Sequence, residues 1–178
     1  MNKNPNKANN AIAILTGGDS GIVVLDIDNL EIWTQKLQEL GQTEPVTTTV
    51  DTQSGGRHLY FCADEHTKGL CNVTGIWGPG SVDFRGDDGL IFAPPTTTPH
   101  KKFGCSDDVV YTWAPGRELI QDSTLQAALM PDWLCEIIKR AGSSGAALTS
   151  ASAQSNLAAS EIAACQLIGE CLWSAGQR

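Results

Sequence analysis

The chain has 178 residues, 41% of them hydrophobic and 18% charged, with a formal net charge of -8 and a pI near 4.7. That is one ordinary globular domain with at most a fragment of a second, and the acidic balance excludes a generally basic nucleic-acid coat protein while leaving room for a cation-dependent site. No apolar run approaches 18 residues, and the start, Met1-Asn2-Lys3-Asn4-Pro5-Asn6-Lys7, lacks the apolar core of a signal peptide, so no membrane association and an intracellular setting are expected.

Residues 1–10 are Asn- and Lys-rich and read as a disordered start. Ala11 to Leu15 predicts a short strand, and the Gly17 to Gly21 turn leads into a second, Ile22-Val23-Val24-Leu25-Asp26-Ile27-Asp28. A Val- and Ile-rich run after a glycine turn is a buried strand. Side chains alternate across a strand, so Asp26 and Asp28 share a face with Cα atoms about 6.6 Å apart. Two such carboxylates repel unless a divalent cation, a basic side chain or a shared proton lies between them. The plain alternative is a strand end with two solvated acids.

Asn29 is placed to cap a helix from Leu30, with Leu30, Trp33, Leu37 and Leu40 at helical spacing and Gly41 as its stop. Val46 to Thr52 is β-branched and strand-like, Gln53 to Arg57 a turn, and His58 to Cys62 the returning strand of a hairpin. Ala63 to Ser81 is irregular and Gly-rich. Val82 to Arg85, the turn Gly86-Asp87-Asp88-Gly89 and Leu90 to Ala93 read as a second hairpin, ended by Pro94-Pro95. Thr96 to Asp108 reads as a long polar loop, Val109 to Trp113 as a last strand. Pro131 opens a helix to about Arg140 with Trp133, Leu134, Ile137 and Ile138 inward. Residues 142–160 have the Ser, Ala and Gly content of a flexible linker, and 161–178 return to helical spacing as the start of a truncated segment.

Of the other chemical groups, Asp83 and Arg85 share a strand face, and His58 follows Ser54-Gly55-Gly56 and Arg57 directly. Each alone is a routine ion pair or a packed histidine. Together they put chemistry at strand termini beside Gly-rich turns, where sheets present functional groups. The six cysteines contain no C-x-x-C pair, and a zinc reading through Cys62, His66, Cys71 and His100 or Cys105 matches no standard spacing.

Three segments together carry a resemblance. Thr16-Gly17 through Asp26-Ile27-Asp28, Thr49 through Ser54-Gly55-Gly56-Arg57-His58 to Phe61, and Val82-Asp83-Phe84-Arg85 with Ala93-Pro94-Pro95 resemble, in order and spacing, the three motifs of the bifunctional DNA primase/polymerase (Prim-Pol) domain of the archaeo-eukaryotic primase superfamily. Tyr111-Thr112-Trp113 and Leu129 to Leu134 resemble its closing strand and helix. The resemblance implies an α/β (α+β) fold with a mixed or antiparallel sheet and flanking helices. It implies a nucleotidyltransferase in which Asp26, Asp28 and Asp83 hold two Mg²⁺ or Mn²⁺ ions, and His58 contacts the triphosphate with Ser54, the Gly55-Gly56 backbone and Arg85 nearby. It implies nucleoside triphosphates and a DNA template and primer as partners, a helicase domain in a full-length protein, and a cytoplasmic, plasmid, phage or other mobile-element replicon setting. On this reading 1–141 is the catalytic domain, with family elements before residue 11 missing. Two other readings stay open: a haloacid dehalogenase-like phosphatase with Asp26 as nucleophile, and a decayed primase-like domain that keeps its carboxylates.

Overall fold

The computed structural model describes residues 11–52, 54–99, 108–118, 120–121 and 124–148. Their elements, in chain order, are β1 (Ile12–Thr16), β2 (Ile22–Ile27), α1 (Leu30–Glu39), β3 (Thr48–Asp51), β4 (Arg57–Cys62), β5 (Val82–Arg85), β6 (Gly89–Ala93), β7 (Thr97–Pro99), β8 (Asp108–Val110), β9 (Thr112–Trp113), β10 (Ile120–Gln121), β11 (Thr124–Leu125), β12 (Ala128–Leu129) and α2 (Asp132–Leu148). The chain divides into two compact units, residues 1–143 and 144–178. Of the second unit, the described residues are the last turn of α2.

The centre is a mixed six-stranded sheet in the order β5-β2-β4-β3-β9, with β12 added to β4. All its pairings are antiparallel except that of β12, which lies parallel to β4 at Phe61 and Cys62, beyond the point where β3 stops at Tyr60. The fold is thus α+β, as the resemblance implies. β2 sits inside the sheet with partners on both edges, which is why its sequence is apolar almost throughout.

The two faces of the sheet are covered differently. Val23, Leu25 and Ile27 of β2, Leu59 and Phe61 of β4, and Val82 and Phe84 of β5 pack with Trp33 and Leu37 of α1 and Leu134, Cys135 and Ile138 of α2. Burying each of these large side chains stabilises the fold by roughly 1.5–3 kcal/mol. On the other face Ile22, Val24, Val50, Tyr60 and Ile91 form a smaller core, with Tyr111 and Trp113 against it. Asn29 caps α1 by accepting from the Glu31 and Ile32 amides, each at 3.0 Å, and Gly41 ends it with a φ of +64°. Leu40, expected inward, is exposed, because it caps the helix outside its last turn. In α2, Cys135 takes an inward place and Ile137 is only half-buried.

Three local expectations are corrected. β5 and β6 do not form a hairpin: β6 pairs antiparallel with β1, from Ile12↔Ala93 to Thr16↔Gly89. The outer edge of β5 is already taken, since Val73 and Phe84 exchange backbone hydrogen bonds and the Ile76 amide donates to the Val82 carbonyl. Asp87 then steers the chain off the sheet, accepting from the Gly18 amide at one carboxylate oxygen and the Gly69 amide at the other, both at 3.0 Å. Gly86 permits the close turn, because a Cβ there would collide with the Leu70 carbonyl oxygen. Second, the loop predicted from Thr96 begins with β7, paired to β8, and the strand predicted over Val109 to Trp113 splits at Tyr111, whose amide turns to the Thr96 carbonyl. Third, α2 runs past Arg140 to Leu148, with the Ser143 hydroxyl donating to the Lys139 carbonyl at 2.8 Å. The expectations for residues 1–10, Gln53, His100, Cys105, 149–160 and 161–178 lie outside the described residues.

Candidate active site

The site begins with register. β2 lies between β4 and β5, and both pairings bring their partners to the same residue: His58 on one side of Asp26, Asp83 on the other. Alternation does the rest. Val82 and Phe84 point into the helix-covered core, so Asp83 and Arg85 point to the opposite face, the face of Val24 and Asp26. His58 lies on that face with Tyr60, two residues along β4.

The side chains form one network. His58 Nε2 lies 3.3 Å from Asp26 Oδ1. Arg85 Nη2 lies 3.1 Å from Asp83 Oδ2 and 3.8 Å from Asp26 Oδ2. The other Asp83 oxygen accepts from the Gly75 amide at 2.8 Å. Two carboxylates about 4 Å apart repel by about 4 kcal/mol at an effective dielectric near 20, which the shared guanidinium offsets here. Two buried atoms of this network have no hydrogen-bond partner: His58 Nδ1 and Arg85 Nε.

Asp28 stands beside the network. Its amide donates to the Ser81 carbonyl at 3.0 Å. With Asp83, Thr74, Gly75, Pro79 and Gly80 it lines an open pocket of about 380 Å³. The turn between β3 and β4 touches the same strand end, because Gly56 packs so closely on the Ile27 carbonyl and the Asp28 Cα that a Cβ would collide with that carbonyl. The Gly55 and Gly56 amides, however, are not bare. Gly55 donates to the Thr52 carbonyl at 3.1 Å and Gly56 to Thr52 Oγ1 at 3.0 Å. Ser54 is exposed, with its Oγ 3.2 Å from Thr52 Oγ1.

The structure therefore brings Asp26, His58, Asp83 and Arg85 into contact, with Asp28 in the adjoining pocket and Ser54-Gly55-Gly56 at its rim. His58 departs from the expectation of an open cleft: it is only 2% exposed. Tyr111 and Tyr60 pack against its ring, with centroids 5.7 and 6.3 Å away. Burial, reinforced by Asp26 and Asp28, pushes the Tyr111 phenol upward, and burial with Asp26 and Tyr111 does the same to Tyr60. Both are neutral O–H donors at ordinary pH. The sequence offered no signal for Tyr111, which reads as one more aromatic in a closing strand, nor for the amide of Gly75, which only the folded loop places on Asp83.

Carboxylate oxygens on one face suit a hard divalent cation in chemistry, and Arg85 already holds positive charge between two of them. Among the described residues no group of three or more His, Cys, Asp or Glu side chains is drawn together tightly enough to hold a metal, so the fit is one of donor type and shared face rather than a closed triad. No such group includes Cys62, His66 or Cys71 either.

Fold and site together define an α+β domain that gathers carboxylates, a histidine and an arginine on one face of a largely antiparallel sheet. The sequence profile described as bifunctional DNA primase/polymerase, N-terminal, matches residues 2–133. The chain belongs to that family. No curated protein matches it. Among the described residues, no helix is long and apolar enough to cross a membrane.

Proposed function

We propose that this domain carries out template-directed nucleotidyl transfer, joining nucleoside triphosphates on a DNA template and primer. The observation that carries the reading is the position of Asp26, flanked in register by His58 and Asp83 and tied to Asp83 through Arg85. Asp26, Asp28 and Asp83 would hold Mg²⁺ or Mn²⁺, which when bound activates a 3′-hydroxyl and neutralises the leaving pyrophosphate. The chain's own residues supply the rest. Asp26 and Asp83 set the negative floor of the site. Asp28 carries it into the pocket, which is open enough to admit phosphates. Arg85 and Ser54 are the exposed or half-exposed polar groups that face an anion. His58 reaches a triphosphate only when Tyr111 moves aside. On this reading the segment matched by the family, closed by α2, is the catalytic domain of an intracellular replication protein of a mobile replicon, with a helicase as its partner.

The test is primer extension and de novo priming with Mg²⁺ or Mn²⁺, dNTPs or NTPs, beside Asp26→Asn and a phosphomonoester control. Metal-dependent incorporation lost in Asp26→Asn is the expected result. Phosphomonoester turnover without incorporation would hand the site to phosphatase chemistry. Neither activity, with no nucleotide heat in calorimetry, would make it a decayed domain.

A further inference from the structure

Arg85 is held at one end only. Nη2 contacts both Asp83 and Asp26, while Nε is buried and has no partner. An arginine seated for good on a carboxylate normally uses its fork, two parallel N–H groups on two oxygens. Here one nitrogen serves two carboxylates, the contact to Asp26 is long, and the side chain is 29% exposed. Leaving a buried N–H unpaired costs free energy that a second seat could recover. Arg85 is also the last residue of β5, followed by Gly86, and it lies opposite Val24 of β2 in register.

The Asp26 and Asp83 oxygens that Arg85 contacts belong to carboxylates that the proposed function gives to a divalent cation. We propose that Arg85 is a positioning residue that exchanges with this cation: guanidinium and cation are alternative occupants of the Asp26 and Asp83 oxygens, and the displaced guanidinium turns its full fork to a nucleotide phosphate. The inference rests on the proposed function for the identity of both ligands. It adds a coupling that the reading alone does not contain. A phosphate that captures Arg85 frees the two carboxylates, so nucleotide and cation each tighten the other's binding, by the same factor in both directions. If Arg85 sits on the carboxylates in about nine molecules of ten, the apparent cation affinity is lowered about tenfold.

The experiment uses the full chain and two readouts that need no turnover. The Nε–H resonance of Arg85, assigned by its loss in Arg85→Gln, is followed by NMR during a Mg²⁺ titration. Calorimetry measures Mn²⁺ binding to wild type and Arg85→Gln, with and without a non-hydrolysable nucleoside triphosphate. The Nε–H signal is expected to shift with Mg²⁺ in wild type and to stay put in Asp26→Asn. Arg85→Gln should bind Mn²⁺ about tenfold more tightly without nucleotide, and nucleotide, which also ligates Mn²⁺ directly in both proteins, should tighten Mn²⁺ at least about fivefold more in wild type than in the variant. If Arg85→Gln fails to fold, Arg85→Lys serves for assignment and the wild-type shift still decides. Cation binding that leaves the Nε–H signal unmoved would overturn the exchange and leave the proposed function standing. Cation binding to neither protein would overturn both.

Discussion

His58 and Asp26 face each other across the β2–β4 pair, Nε2 to Oδ1 at 3.3 Å, in a pocket that leaves the histidine 2% exposed. The histidine that the proposed function gives to a triphosphate is thus packed on the Tyr111 ring. Replacing Tyr111 by Ala should uncover it. The expected result is a several-fold faster modification of His58 by diethyl pyrocarbonate, with Tyr111→Phe close to wild type because the ring remains. Loss of the half-buried ring should cost about 1–3 kcal/mol in urea unfolding. Equal modification rates in wild type and Tyr111→Ala would show that Tyr111 is not what shields the histidine.

The same two tyrosines predict a pH limit. Burial first, and the Asp26 charge second, raise both phenols in the folded state above their unfolded value near 10. A group with a raised folded pKa contributes stability that is complete below the unfolded pKa and is lost as pH rises through the folded one. Stability should therefore be flat with respect to these groups below about pH 10 and fall above it. Asp26→Asn removes one of the raising charges, so the phenols of Tyr60 and Tyr111 should titrate earlier in a spectrophotometric phenolate titration. An unchanged titration in Asp26→Asn would mean that Asp26 does not act on them.

Gly56 gives a steric prediction. Its place against the Ile27 carbonyl and Asp28 leaves no room for a Cβ. Gly56→Ala should destabilise the fold by about 1–3 kcal/mol, the usual cost of overpacking. It should also push the turn off the strand end that carries Asp28. Gly55→Ala differs: no atom lies in its way, but its φ is +82°, so the cost is backbone strain of about 1 kcal/mol or more. Chemical denaturation measures both costs, and nucleotide calorimetry separates the variants, since only Gly56→Ala should weaken binding through Asp28.

How much of this was legible follows from which interactions are local. The apolar run from Ile22 to Leu25, the Asn29 cap and the period of two in Val82-Asp83-Phe84-Arg85 state their elements and faces directly, and from them the shared face of Asp26 and Asp83. The β3–β4 hairpin was equally local. The β5–β6 hairpin looked just as local and was wrong, because strand partners are chosen by free edges. The edge of β5 goes to residues 73–76, and β6 goes to β1. Such competition between distant segments leaves no periodicity to read. The ring contact on His58 was invisible for the same reason: it is made by a tyrosine 53 positions later in the sequence, brought near by β3–β9 pairing.

Asp87 lies in the segment that carries the chain from β5 to β6. Its carboxylate ties the Gly18 and Gly69 amides together and so holds the β1–β2 turn, the 63–70 loop and the β5–β6 turn in one knot. Asp87→Ala should cost about 1.5–3 kcal/mol, the scale of hydrogen bonds to a charged acceptor, reduced to the lower end by solvent. Hydrogen exchange should quicken at both amides and around β1 and β6, while the centre of β2 stays protected.

The last prediction asks how His58 and Tyr111 act together. If His58 meets the triphosphate equally in the ground and transition states, His58→Ala raises KM with little change in kcat. Its partner Asp26 keeps Arg85 and the neighbouring Asp83, so the carboxylate floor survives the loss. Tyr111→Ala should do the reverse, lowering KM by removing the cost of moving the ring. The two residues touch, so their effects should not add. With Tyr111 present, part of the binding energy of His58 goes into displacing the ring. With Tyr111 absent, all of it appears in KM. The penalty of His58→Ala on KM should therefore be larger in the Tyr111→Ala background than in wild type, by a coupling of about 0.5–3 kcal/mol. Steady-state kinetics of the four proteins, with varied dNTP on one primed template, measures it. A penalty of equal size in both backgrounds would mean that Tyr111 does not gate the histidine. A fall in kcat with KM unchanged would mean that His58 serves the reaction by holding Asp26 in place and never meets the nucleotide.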